Sequence, residues 1–91
     1  MAPPNPARGE VSVSLAGVPC RLCLTLGALA RIEGVLNLAD WRDLPARMET
    51  LSARELLAVL AALVQDGPAS LDGVTIPEAV AAVAATLAAS A

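Results

Sequence analysis

Residues Glu10 to Leu15 read E-V-S-V-S-L, an alternation of apolar and small polar positions. A period of two is what a strand with one buried face requires. Ala16-Gly17 supplies a tight turn, and Val18 to Thr25 resumes the alternation as V-P-C-R-L-C-L-T. A two-residue turn sets Leu15 opposite Val18, Val13 opposite Cys20 and Val11 opposite Leu22. All six then share one face, with Leu24 beyond them. Ser12, Ser14, Arg21, Cys23 and Thr25 share the other. A longer loop centred on Gly17 would shift this pairing. The expectation is a two-stranded hairpin over residues 10–25 with both outer edges unpaired, and unpaired edges recruit other strands.

Beyond Thr25 the period lengthens. Leu29, Ile32 and Leu36 fall at helical spacing with Val35 beside them, which predicts a helix over about 26–36. Thr25 caps it, Gly34 weakens it and Asn37 can end it. A shorter helix is expected over 41–50, capped by Asp40 or Asp43, with Pro45 tolerable only in the first turn. Ser52-Ala-Arg-Glu55 is a capping box opening a helix over 53–65, stopped by Asp66-Gly67-Pro68. Thr75-Ile-Pro-Glu78 repeats the device and opens a last helix over 76–89. The fold class is therefore α+β, an N-terminal β-hairpin followed by three to four α-helices packed on one face. The three prolines before residue 7 make residues 1–8 a flexible tail, leaving residues 9–91 as a single domain.

Composition narrows what such a domain can do. Apolar residues are 56% of the chain, many of them alanine, and Trp41 is the sole aromatic, so the core rests on Leu, Val and Ile. The net charge is −3, and the basic residues are six scattered arginines, which offers no clustered footprint for nucleic acid. Abundant Ala and Arg without Lys suggest a GC-rich bacterial genome. The longest apolar run, Leu56 to Val64, is nine residues, against the roughly 20 that a membrane span needs. The first ten residues have no apolar stretch of a secretory signal, so the default location is the cytoplasm.

Catalytic chemistry finds few carriers. With no His, Lys or Tyr in the sequence, serine–histidine and cysteine–histidine pairs are excluded. Cys20 and Cys23 have C-x-x-C spacing, but in a strand their Cα atoms lie about 10 Å apart on opposite faces, too far for a disulfide. Cys20 is then a small core residue and Cys23 a semi-exposed one, and a single pair offers too few ligands for zinc. Asp40 and Asp43 are explained by helix capping. No enzyme, cofactor or metal is expected. Trp41 is either a core or lid residue or an interface anchor. Ser12, Ser14 and Arg21 on the outer hairpin face, together with Trp41, are the candidate partner-binding residues.

Three segments look familiar: RGEVSVSLAGVP at 8–19, LCLTLGALARIE at 22–33 and LSARELLAVLAAL at 51–63. They resemble the small tail proteins of gene transfer agents and related alphaproteobacterial prophages, a family described as phage tail tube or tail assembly chaperone proteins. The resemblance covers roughly residues 8–66, and the loop after Asp66 departs from it. It implies a non-enzymatic role in tail morphogenesis, with the tape-measure or tail tube protein as partner. Further options are a structural subunit kept in the tail, hence with the virion, a homo-oligomer through the hairpin edge, and a small cysteine-dependent regulator.

Overall fold

The computed structural model describes residues 9–90. The flexible tail expected over residues 1–8 lies outside the described residues. The architecture is α+β: a small antiparallel sheet followed by helices that cover its apolar face.

Strands β1 (Val11–Leu15) and β2 (Val18–Leu22) form the hairpin in the expected register, with Val11 opposite Leu22, Val13 opposite Cys20 and Leu15 opposite Val18. Ala16 and Gly17 make the turn with φ of 52° and 80°. Two successive positive φ values match the right-handed twist of the strands they join. Leu15, Cys20 and Leu22 are buried, Val11 and Val13 half-buried, and Ser12 and Ser14 exposed.

The helices begin where their caps say. Thr25 accepts a hydrogen bond from the Ala28 N–H (3.0 Å) and opens α1 (Leu26–Leu36). Asn37 ends it in the left-handed region at φ 56°. Its inward row is Ala28, Ile32 and Leu36, so Val35 is exposed and Leu29 half-buried. Asp40 accepts from the Arg42 N–H (2.9 Å) and opens a 3-10 turn over Trp41–Asp43. This turn leads into α2 (Leu44–Arg47) and a second 3-10 turn over Met48–Thr50. Both capping boxes form, at the start of α3 (Ala53–Leu63) and of α4 (Ile76–Ala89).

Two expectations need correction. The helix expected over 53–65 stops at Leu63, and β3 (Val64–Asp66) follows without a loop. β3 pairs antiparallel with Arg21 and Leu22 of β2, giving a three-stranded sheet in the order β1-β2-β3. The outer edge of β2 is thus partly taken, and the edge strands of the sheet are β1 and the three-residue β3. The cause is tertiary: Val64 satisfies helical periodicity equally well, but pairing with β2 settles the backbone as strand. Cys23, expected to be semi-exposed, is 4% exposed. Its N–H donates to the Leu63 carbonyl (2.9 Å), which draws it into the joint between α3 and β3.

The core joins Leu15, Cys20 and Leu22 of the sheet to Ile32 of α1, Leu44 of α2, Val59, Leu60 and Leu63 of α3, and Ala79, Ala82 and Val83 of α4. α3 packs against both α1 and α4. Gly9 lies against Ser90, where a Cβ would sit 3.2 Å from the serine Oγ, while Ala16 meets Glu78. α4 therefore runs back along β1 in the opposite direction. The alanines on its inner face permit this close approach.

Candidate functional site

Of the large apolar side chains exposed among the described residues, Trp41, Leu57, Ile76 and Val80 line neighbouring crevices, whereas Val18, Leu26 and Val35 lie outside them. Ile76 is 64% exposed and Val80 50%. At spacing i, i+4 they stand one turn apart on the outer side of α4. Ile76, Val80, Ala84 and Leu87 face Pro45, Met48 and Leu51 across a groove. The same Pro45 and Leu87 also wall a second crevice with Leu24, Leu29, Leu44 and Trp41. At the other end Leu56 and Ile76 wall a third, with Leu57, Leu60, Leu71 and Val74. Because neighbouring crevices share walls, they form one apolar band from Trp41, along α4, to Leu57. Its polar lining residues are Arg42, Glu49, Asp72, Thr75 and Ser90.

Local sequence explains how the band is held. The Thr75–Glu78 box fixes the start of α4 and hence the placement of Ile76, with the Glu78 N–H donating to Thr75 Oγ1 (3.3 Å) and the Thr75 N–H to Glu78 Oε1 (3.0 Å). The facing wall is the helical segment from Trp41 to Thr50. Its ends are tied by Asp40 to Arg42, whose Nη2 lies 2.7 Å from Asp40 Oδ2, and by Arg47 to Glu55 and to the Thr50 carbonyl (3.1 Å). Arg42 holds the Asp40 carboxyl below its usual pKa, and the Ser52 N–H does so most strongly for Glu55.

The structure does not bring the four sequence-predicted site residues together. Trp41 belongs to the band and is 55% exposed. Ser12 and Ser14 are exposed on β1. Arg21, opposite Ser12, is half-buried, with its Nε 3.6 Å from Glu10 Oε2. Sequence reasoning missed Ile76, Val80, Met48 and Leu57. The i, i+4 pair Ile76 and Val80 was the available signal, and it was weak because the same helix also carries Val83 and Leu87.

Cys20 and Cys23 are both buried, and neither is in a disulfide among the described residues. Burial pushes the Cys20 thiol up, away from the reactive thiolate. Gly67 closes tightly over it, for a Cβ there would lie 2.9 Å from Cys20 Sγ. Among the described residues no cluster of His, Cys, Asp and Glu could hold a metal ion. No described helix is long and apolar enough to cross a membrane.

Fold and surface together define a small α+β protein that presents an apolar band and an open sheet edge rather than a cluster of reacting groups. The chain belongs to the family described as phage tail tube protein, GTA-gp10, whose sequence profile matches residues 8–91. The match runs past the stretch ending near residue 66 and takes in α4. No curated protein and no solved structure matches the chain significantly. Family membership gives the chain a structural or morphogenetic role in a phage-type tail.

Proposed function

We propose that the chain is a non-enzymatic tail assembly chaperone or adaptor, acting in the cytoplasm of a bacterial host. Its apolar band takes up an apolar helix of the tape-measure or tail tube protein. The supporting observation is the band itself. Ile76, Val80, Met48, Leu51, Pro45 and Leu87 make a continuous trough on a protein of a tail family, and helix-in-groove recognition reads partners through such apolar rows. Trp41 stands at one end of the trough as an anchor. Ser12, Ser14 and Arg21 supply a second, polar contact surface on the hairpin. A continuous apolar surface on a small protein marks an interaction site rather than incidental exposure.

A second reading, favoured by the family's description as a tail tube protein, is a subunit kept in the finished tail. Quantitative mass spectrometry of purified particles separates the two. A chaperone is absent or far below the copy number of the major tail protein, and a retained subunit is present in fixed ratio. Co-expression with the tape-measure protein tests the chaperone reading from the other side, because the helper should raise the partner's soluble yield.

A further inference from the structure

The open edge of β1, the longer of the two edge strands, has a property that the apolar band does not explain. In a two-residue hairpin the residues flanking the turn exchange hydrogen bonds, and the bonded pairs then alternate along the strands. Leu15, Val13 and Val11 therefore spend their backbone groups on Val18, Cys20 and Leu22. The N–H and C=O of Ser12 and Ser14 point the other way, toward the open edge. Pro19 supports this assignment independently. It sits opposite Ser14, and having no N–H it fits only a non-bonded position facing away from β1.

Edge strands are ordinarily protected by a charge, a proline or a bulge. β1 reads VSVSL and has none of these. Its sequence is also symmetrical in polarity about Val13. When a second β1 is laid antiparallel with Val13 on the two-fold axis, Ser12 faces Ser14 of the second copy and Val11 faces its Leu15. The outward groups of Ser12 and Ser14 then satisfy those of the other copy's Ser14 and Ser12. Registers centred on Ser12 or Ser14 would instead send one of the two serines to Glu10 or Ala16. In the Val13 register the apolar faces of both sheets also stay on the same side. No charged side chain on either β1 meets its own kind.

We infer that the chain self-associates through β1, with the strands antiparallel about Val13, forming a two-fold dimer in which two three-stranded sheets become one. The occupant is a second copy because the strand is complementary to itself in hydrogen bonding, polarity and charge. This inference stands on the hairpin geometry and does not depend on the tail role. Strands as short as β1 bury less than the roughly 1,200 Å² of a standard interface, so the dimer is concentration-dependent.

Two measurements on the full chain test it. Sedimentation equilibrium should show the mass rising from monomer toward dimer with concentration. S12K combined with S14K should hold the chain at monomer mass while it still unfolds cooperatively, at a somewhat lower midpoint because the lysine introduced by S12K would face Arg21. For the register, S12C and S14C proteins are oxidised separately and as a mixture. Ser12 and Ser14 project on the side away from Cys20, and the inferred pairing places the new thiol of one variant beside that of the other. The mixture should give several-fold more disulfide-linked dimer than either protein alone. A wild-type chain that stays monomeric up to millimolar concentration overturns the inference. So does equal cross-linking in all three samples, or a dimer that survives both S12K and S14K.

Discussion

The Ala16 backbone N–H donates to Glu78 Oε2 at 3.2 Å, joining the hairpin turn to the first turn of α4 across 62 positions of sequence. Glu78 thus serves two elements, since its other carboxylate oxygen accepts from Thr75. The Thr75 N–H, and after it the Ala16 N–H, hold the Glu78 carboxyl below its ordinary pKa. A depressed folded pKa stabilises the native state above the unfolded value, and that stabilisation is lost as pH falls through the folded one. Asp40 and Glu55 act in the same direction. Urea midpoints should therefore drop as pH falls below the usual carboxylate range, and Glu78→Gln should make that drop shallower. An unchanged pH slope in the variant would remove Glu78 from the account.

The caps themselves have an expected magnitude. Thr75→Ala and Ser52→Ala each remove the hydroxyl that accepts the third helical N–H, and each should cost about 1 kcal/mol. The two sites open different helices, so their effects should add. Equilibrium denaturation of the single and double variants checks this.

Ala16 holds φ 52°, a backbone region in which a Cβ is strained, in a turn type that favours Asn-Gly. Ala16→Asn should stabilise the chain by about 0.5–1 kcal/mol. The thermal midpoint reads the gain, and a loss would show that the turn does not keep this conformation.

Gly67 has no such freedom to accept a side chain. A Cβ there would lie 2.9 Å from Cys20 Sγ and 3.2 Å from Val64 Cγ1. Gly67→Ala should destabilise by about 1–3 kcal/mol. Adding Cys20→Ala removes the closest atom, so the double variant should be milder than the sum of the singles by at least about 0.5 kcal/mol. A strictly additive cycle would place the cost elsewhere.

What the sequence revealed was local. The hairpin register followed from alternation plus a two-residue turn, and the starts of three helices from Thr25, Ser52 and Thr75, because each signal lies within a few residues of what it determines. β3 was not legible, since Val64-Gln65-Asp66 becomes a strand only by meeting Arg21 and Leu22, far earlier in the chain. Cys23 was misplaced for the same reason, as its cover comes from the end of α3. The band along α4 was hidden by composition. A helix rich in Ala and Val on every side does not declare which face turns inward. Only the positions of α3 and β1 put Ala79, Ala82 and Val83 inside and left Ile76 and Val80 out.

The role of that band is tested most directly by making Ile76→Ser with Val80→Asp and measuring affinity for the purified tape-measure protein by titration calorimetry. Both positions are exposed, so folding stability should move by no more than about 0.5 kcal/mol per site. Losing two anchors should weaken binding by about tenfold or more. A folded double variant that binds as tightly as the parent chain would contradict the assignment of the α4 trough as the partner site.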